Sequence, residues 1–185
     1  APLPSGLDGR SFLPLLRGES QDDRDRVYKA YNENASGQRN PIRAIETPEF
    51  LYIFNPWANG ERTMFSATND TKSYQRMLEL AEEDAETAAR IRLLRYRVPE
   101  EFYNVRTDPD ALVNLIDDPA YQQQVKEYRA ELAQWLGRMH DPMQAALLAP
   151  ENPAARNQYM QEQHRLSEAR KEWYRAISEK MQKPD

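Results

Sequence analysis

The stretch from Glu101 to Tyr121, EFYNVRTDPDALVNLIDDPAY, constrains the fold of this 185-residue chain more than any other segment. It opens with Phe102 and Val105, which are strand-forming residue types, and continues into the turn-forming triplet Asp108-Pro109-Asp110. The Asp118-Pro119 step then suits the start of a helix, because aspartate caps the first turn and proline fits its first position. The segment therefore favours a fold that mixes strands and helices.

Composition narrows the function classes. Hydrophobic residues make up 39% of the chain and charged residues 30%, a balance typical of long amphipathic helices rather than of a deeply buried enzyme core. The net charge of −5 argues against a nucleic-acid partner, because neutralising phosphates requires clustered lysine and arginine. The chain has no cysteine, so it has no disulfide framework and no thiolate metal site. No apolar run approaches the roughly 20 residues of a membrane span.

Four segments read as strands. Arg26–Tyr31 alternates in polarity, and the runs Ile42–Thr47 and Phe50–Phe54 meet at Pro48-Glu49 as a hairpin. The strand at Phe102–Val105 is the fourth. The sequence therefore predicts a small four-stranded antiparallel sheet.

Three segments read as long helices. Lys72–Tyr96 carries apolar residues at spacings of three and four, and Pro119–Met139 repeats that pattern. Residues 153–181 form the third, with Asn152 as its cap and Pro153 in its first turn. We expect an α+β fold, built from this small sheet and three long helices.

The order of residues in the 101–121 segment also matches a known pattern, E-L-Y-D-L-x-x-D-P-x-E-x-x-N-L-x-x-D-P-x-Y. The matching positions are Glu101, Phe102, Tyr103, Val105, Asp108, Pro109, Asn114, Leu115, Asp118, Pro119 and Tyr121, whereas Asn104 departs from the usual aspartate. In this the chain resembles the carboxy-terminal subdomain of the sulfatase family, of which that pattern is a hallmark. The resemblance implies that the C-terminal helix at 119–139 packs on the four-stranded sheet and that the other two long helices are additions.

A second segment, residues 1–20, resembles the P-x-G-x-D-G-x-S-L-L-P-L-L-x-G run that closes the sulfatase catalytic domain. The matching positions are Gly6, Asp8, Gly9, Ser11, Phe12, Leu13, Pro14, Leu15, Leu16 and Gly18. The resemblance implies a linker at 1–20 from an N-terminal catalytic domain, which would be the main partner. It implies a subdomain at 21–142 with a helical insertion at 60–98, followed by a helical extension at 143–185.

The catalytic chemistry of the family is missing from this chain. The resemblance implies a formylglycine nucleophile made from the motif C/S-x-P-x-R, and a calcium ion held by aspartate and asparagine. The chain has no cysteine, and none of its serines stands in that motif. We therefore expect no cofactor in this chain and no catalysis by it alone. Formylglycine and calcium would belong to the catalytic domain of a periplasmic or secreted enzyme acting on a sulfated saccharide.

One loop stands out as a place to contact substrate. The segment YNENASGQRNPIRAIET is most similar to heparan N-sulfatase (sulfamidase)-type members of the family. Its polar side chains suit hydrogen bonds to sugar hydroxyls or pairing with an anion: Asn32, Glu33, Asn34, Arg39 and Arg43. The structural alternative is a solvated hairpin loop, in which Arg43 pairs with Glu46 or Glu49.

Trp57 is a further candidate, because an aromatic face suits the CH surface of a sugar. Asn55 and Asn59 flank it. The alternative that we favour is a tryptophan buried at a domain interface or in the core.

Two other functions remain open. One is the tail of a phosphodiesterase or phosphonate hydrolase of the related alkaline-phosphatase-like superfamily. The other is a non-catalytic module that forms homo-oligomers through the helices at 72–96 and 153–181.

Overall fold

The computed structural model describes residues 9–22, 24–34 and 37–181. Two parts of the predicted motifs, Gly6 with Asp8 and Ala35 with Ser36, lie outside these ranges. The helices are α1 (Leu13–Leu16), α2 (Lys72–Leu80), α3 (Ala85–Tyr96), α4 (Gln122–Arg138), α5 (Gln144–Leu147) and α6 (Pro153–Met181), with 3₁₀ turns at Ala67–Asp70 and Pro119–Tyr121. The strands are β1 (Val27–Glu33), β2 (Arg39–Glu46), β3 (Phe50–Phe54) and β4 (Glu100–Asn104).

The strands form one antiparallel sheet in the order β1-β2-β3-β4. Tyr52 stands opposite Ile45 on one side and Phe102 on the other, so three apolar side chains line up across the sheet. The predicted four-stranded antiparallel sheet and the α+β class are confirmed. The fourth strand begins two residues earlier than the sequence suggested, at Glu100.

The main core lies between one face of this sheet and α4. Ile45, Tyr52 and Phe102 are fully buried there against Leu132 and Leu136 of the helix. Burying large apolar side chains is the main stabilising contribution in such a layer. The helix expected to pack on the sheet does so, and it fixes the sheet relative to the segments that follow α4.

The hallmark segment covers the outer edge of β4. Phe102 donates its backbone N–H to Oδ1 of Asn114 at 2.9 Å and accepts from the N–H of Leu115 at 2.7 Å. An uncovered edge strand presents unpaired backbone groups to other chains. The asparagine and leucine of the motif therefore complete the sheet where it would otherwise end open.

The aspartates of the same segment hold turns. Asp108 accepts from the backbone N–H groups of Leu112 and Val113, both at 2.8 Å, and Asp118 accepts from Ala120 at 2.9 Å. Short carboxylates commonly satisfy backbone donors in this way at turns and helix starts. The predicted turn and cap roles are confirmed.

The single helix predicted for Lys72–Tyr96 is wrong, because the segment folds as two helices. α2 ends at Leu80, and α3 begins after Asp84, whose side chain accepts from the backbone N–H of Thr87 at 2.7 Å. Asp84 has extended backbone angles, as N-caps do. Capping by a short carboxylate thus competes with the apolar periodicity, which by itself carries no information about the break.

The long terminal helix is confirmed. α6 runs from Pro153 to Met181, and Asn152 accepts from the backbone N–H of Ala154 at 3.0 Å, as the predicted cap. Its first half packs against the loop after β3 through Met160. Within the ranges that the structure covers, none of the helices is both long and apolar enough to cross a bilayer.

Candidate functional site

Arg43, the most distinctive arginine of the predicted loop, is buried and held on all sides. Its Nε donates to Oδ2 of Asp141 at 2.7 Å, and its Nη2 donates to Oδ1 of Asn32 at 2.8 Å. Its Nη1 donates to the carbonyls of Tyr31 and Ile42, both at 2.9 Å. The arginine thus ties β1 and β2 to the end of α4.

The ion pair expected for Arg43 is wrong in its partner. Neither Glu46 nor Glu49 takes that role: Asp141 does, and Glu46 instead pairs with Lys29 on the neighbouring strand. Asp141 also accepts from the backbone N–H of Met143 at 2.9 Å. The carboxylate therefore neutralises the arginine and holds the turn after α4, so Arg43 acts as a positioning residue for the hairpin.

Glu33 and Arg39, at the end of the β1–β2 hairpin, pair with each other. Arg39 Nη1 lies 2.7 Å from Glu33 Oε2, and Arg39 Nε donates to Oε1 of Gln163 at 2.8 Å. Arg170 approaches the other oxygen of Glu33 at 3.0 Å. Since Gln163 and Arg170 belong to α6, these contacts clamp the long helix onto the hairpin.

Asn34 shapes the loop itself. Its Oδ1 accepts from the backbone N–H of Gln38 at 3.0 Å, and its Nδ2 donates to the carbonyl of Phe65 at 3.2 Å. The buried hydroxyl of Ser167 donates to the carbonyl of Gly37 at 2.6 Å. The structure therefore brings Asn32, Glu33, Asn34, Arg39 and Arg43 together on one hairpin, where each already has contacts within the chain.

Trp57 lies apart from that hairpin end, in a small cluster with Ala58 and Met160. Only 2% of its surface is exposed, so no ring face is free to stack on a sugar. Its indole Nε1 is buried and has no acceptor in the part of the chain that the structure describes.

A groove of 560 Å³ opens beside Trp57, between α6 and the loop of residues 56–62. Arg62, Arg156 and His164 are the cationic and titratable residues that line it. Arg62 Nη1 lies 3.0 Å from Nε2 of His164, and Arg62 Nη2 donates to the carbonyl of Arg39 at 2.7 Å. The guanidinium of Arg62 therefore connects this groove to the β1–β2 hairpin.

The electrostatics of the groove favour a neutral His164. Burial, followed by the positive charge of Arg62, lowers the pKa of His164 from its ordinary value. Burial also lowers the pKa of Arg62. A neutral imidazole accepts a hydrogen bond at Nε2, which suits the arginine donor opposite it.

Sequence reasoning missed this groove. The predicted set includes Trp57 but neither Arg62 nor Arg156. One signal was present: Arg156, Met160 and His164 follow one another at intervals of four, so they share a face of α6. The loop that this face packs against lies far away in the chain, and local periodicity does not identify such a partner.

A second polar cluster surrounds the first residue of the hallmark. Glu101 is fully buried, and its Oε1 accepts from Asn55 Nδ2 at 2.6 Å and from Arg97 Nε at 2.7 Å. Its Oε2 accepts from the hydroxyl of Tyr103 at 2.6 Å and pairs with Arg97. Burial and the adjacent carboxylate raise the pKa of Tyr103. Both oxygens of Glu101 are thus satisfied within the chain, and the cluster holds β4 against the end of α3.

Calcium has no candidate ligand set here. Over residues 9–22, 24–34 and 37–181, no three or more His, Asp or Glu side chains come together in a way that would hold a metal ion. The residues described therefore do not fit the calcium site that the family resemblance implies for the whole enzyme. What they offer is hydrogen bonding and positive charge around the hairpin and the groove.

Comparison with known proteins adds the following. No family model matches the chain. The chain is 26% identical over 137 residues to an ulvan-active sulfatase of Formosa agariphila, an alignment that covers 73% of this chain and 22% of that protein. The chain thus spans about a fifth of the length of this curated relative.

Two solved structures are similar over a comparable share. One is a putative sulfatase from Bacteroides thetaiotaomicron, with a TM-score of 0.48 and 23% identity, covering 76% of this chain and 22% of that one. The other is a 2-O GAG sulfatase, with a TM-score of 0.48 and 20% identity, covering 84% of this chain and 25% of that one.

Proposed function

We propose that this chain is a relative of the carboxy-terminal region of sulfatases, and that in the whole protein it supports the catalytic domain of a sulfuric ester hydrolase and lines its substrate cleft. The observation that carries this proposal is the alignment to a curated sulfatase over 137 residues. The hallmark at Glu101–Tyr121 supports it, because its residues cover the edge of β4 and start α4.

The substrate class that we infer is a sulfated sugar. The curated relative is named for its activity on ulvan. The loop resemblance to sulfamidase-type members adds N-sulfated sugars to the classes to be tried. On this chain, the side chains proposed to face the substrate are those at the hairpin end: Asn32, Glu33, Asn34 and Arg39. Arg43 would hold the hairpin from behind, and Trp57 would contribute only its N–H group.

Because the motif C/S-x-P-x-R is missing from this chain, the catalytic groups have to come from another part of the whole protein. We infer that formylglycine and calcium belong to an N-terminal catalytic domain, to which residues 1–20 connect. Residues 21–142, with the insertion at 60–98, would form the supporting subdomain, and residues 143–185 its extension. The extension would serve to clamp the hairpin, since Gln163 and Arg170 of α6 bind Arg39 and Glu33.

An exposed apolar cluster supports a docking role for the linker. The side chains of the segment around α1 have large exposed fractions: Phe12 61%, Leu13 47%, Leu15 41% and Leu16 71%. Adjacent large apolar side chains are unusual on the surface of a protein that works alone, and they mark surfaces that another domain or protein covers. The catalytic domain is the partner that we propose for this cluster.

The test compares this chain with the product of the full reading frame that encodes it. Release of sulfate is measured from aryl sulfate and from O- and N-sulfated saccharides, with and without calcium. We expect the full product to release sulfate and the 185-residue chain to release none. The matched control is the full product with the Cys or Ser of its C/S-x-P-x-R motif replaced by Ala.

Two results would contradict the proposal. Turnover of a sulfate ester by the chain alone would remove the argument from the missing motif. A full product that lacks C/S-x-P-x-R and cleaves phosphodiesters or phosphonates would assign the chain to the related superfamily instead.

A second candidate function, self-association, is favoured by one observation. Trp173 and Tyr174 lie in the last third of α6 with exposed fractions of 57% and 44%. The centroids of their rings are 5.0 Å apart. Exposed aromatic pairs on a helix are typical of surfaces that bind another helix.

A further inference from the structure

We propose that the groove between α6 and the 56–62 loop binds an anionic oxygen group of the sulfate type. The site consists of Arg62, Arg156, His164 and the indole N–H of Trp57. It lies next to the hairpin proposed above to face substrate, because Arg62 donates to the carbonyl of Arg39. The idea that a sugar carries this anion rests on the proposed function. The binding of an anion in the groove is independent of it.

The charge of the groove is uncompensated. Two arginines and a histidine line it, and none of its lining residues is an aspartate or a glutamate. Four other buried or partly buried arginines each pair with a carboxylate: Arg39 with Glu33, Arg43 with Asp141, Arg97 with Glu101 and Arg129 with Glu100. In the described part of the chain, Arg62 and Arg156 have no such partner.

This contrast indicates a ligand. Arginine is seldom withdrawn from water without a compensating anion, because the loss of hydration is costly. Burial nevertheless lowers the pKa of Arg62 without a carboxylate to offset it. The arrangement is expected of a site that receives its negative charge from outside the chain.

Two buried donors on residues that line the groove also lack acceptors among the described residues. Trp57 is 2% exposed and its Nε1 has no partner, and Nε of Arg156 is likewise unpaired within the described residues. An indole N–H and a guanidinium Nε only donate hydrogen bonds, so an acceptor is needed to satisfy them. Sulfate and carboxylate oxygens accept hydrogen bonds and carry the negative charge that the two arginines lack.

The walls of the groove are held in place before any ligand binds. Asn59 Oδ1 accepts from the backbone N–H groups of Glu61 at 3.0 Å and Arg62 at 2.8 Å, which fixes the loop. Met160 of α6 packs on Trp57 between the helix positions of Arg156 and His164. A preformed site loses little conformational entropy on binding, so a small anion can bind with useful affinity.

The test is a ligand titration of the chain, in which the NMR signal of the Trp57 indole N–H is the readout. The ligands are sodium sulfate, a sulfated disaccharide and the same disaccharide without sulfate. We expect a saturable shift with the first two and none with the third. The double variant R62Q/R156Q should weaken binding about tenfold or more, because it removes two charge-assisted hydrogen-bond donors.

The matched control is R76Q, which removes an exposed arginine of α2 that is paired with Glu79. It should leave the affinity unchanged, and R62K, which keeps the charge, should retain part of it. Circular dichroism checks that each variant is folded. The proposal is overturned if sulfate gives no saturable shift, if R76Q weakens binding as much as the double variant, or if the unsulfated sugar binds as tightly as the sulfated one.

The outcomes separate this inference from the proposed function. If sodium sulfate binds and the sulfated disaccharide does not, the anion site stands and the sugar assignment loses its support. If the full product hydrolyses sulfated sugars and the groove binds no anion, the proposed function stands and this inference fails.

Discussion

At the residue scale, the ion pair between Arg43 and Asp141 is the contact that most directly fixes the hairpin. Both side chains are largely buried, with exposed fractions of 7% and 12%. Removing one partner of such a pair leaves the other charge buried and unpaired, which destabilises more than the pair itself stabilises. The pair is therefore a sensitive place to test the structure.

We predict that Asp141→Asn lowers the free energy of unfolding by about 3 kcal/mol, because the neutral amide leaves the guanidinium of Arg43 without its counter-charge. Urea denaturation of the chain measures it. The control is Glu79→Gln, which removes the carboxylate of an exposed pair with Arg76 and should change stability by about 0.5 kcal/mol or less. Equal midpoints for the two variants would contradict the buried pair.

His164 gives a second prediction at this scale. Its pKa is lowered mainly by burial and next by Arg62, so Arg62→Gln should raise that pKa part of the way towards the ordinary value of 6.5. Proton NMR of the imidazole signals against pH measures the shift, with Arg76→Gln as the control that should leave it unchanged. No change in the Arg62 variant would show that the two side chains do not meet.

The sign of the associated stability change follows from the same shift. The folded chain binds a proton at His164 less readily than the unfolded chain does. The contribution of His164 is therefore fully present above pH 6.5 and is lost as the pH falls through the lower pKa of the folded state. Arg62→Gln should reduce this loss.

The candidate residues show what sequence can and cannot supply. Arg43 was predicted as a candidate because it lies in the polar loop segment, and it proves to be buried. Its partner Asp141 is 98 positions away, so no local pattern indicated the pair. Arg62 and Arg156 escaped prediction for the same reason, since each becomes distinctive only when α6 packs on the 56–62 loop.

At the element scale, the hallmark segment is a cover for a sheet edge. Asn114 and Leu115 pair with the backbone of Phe102, while the aspartates of the segment close the turns between them. Local chemistry of this kind was predictable, because turn and cap residues act within a few positions of themselves. The edge pairing was not, since it depends on where β4 lies in the sheet.

We predict that Asn114→Ala destabilises the chain by about 1–3 kcal/mol, because the buried N–H of Phe102 then loses its acceptor. Hydrogen exchange of the Phe102 amide should become faster in the same variant. Asn114→Asp keeps the acceptor oxygen and should retain most of the protection. Gln123→Ala, at an exposed position in α4, is the control.

Exchange at Phe102 that is equally slow in the Ala variant would contradict this edge pairing.

The break between α2 and α3 shows a limit of sequence-based prediction. Periodicity predicted one helix, and the cap formed by Asp84 divides it in two. The aspartate with a threonine three positions later was visible in the sequence, but its effect depends on a competition between capping and helix continuation.

At the scale of the whole molecule, the charged side chains of the hairpin end and those of the groove are paired differently. At the hairpin end Arg39 pairs with Glu33, and Gln163 and Arg170 of α6 bind the same two side chains, whereas in the described residues the two arginines of the groove beside Trp57 have no carboxylate partner. The fold class was predictable from strand and helix patterns, but this distribution of charge was not.

The end of α6 leads to the last prediction. Trp173 and Tyr174 stand exposed on a helix whose first half is packed, so the second half has an apolar surface that the described residues do not cover. If self-association is a function of the chain, sedimentation velocity should show a species that grows with concentration. The variant W173A/Y174A should sediment as a monomer, because truncating both rings removes most of the apolar area available there.

The control for that experiment is V113A, which truncates another exposed apolar side chain far from α6 in the chain and should leave association unchanged. A monomer at every concentration would rule out the helical module and leave the supporting subdomain as the function of the chain. An association that survives W173A/Y174A but disappears when Phe12 and Leu16 are both replaced by Ala would place the contact on α1 instead. That result would identify the α1 cluster as the associating surface, which is consistent with the proposal that another domain covers it.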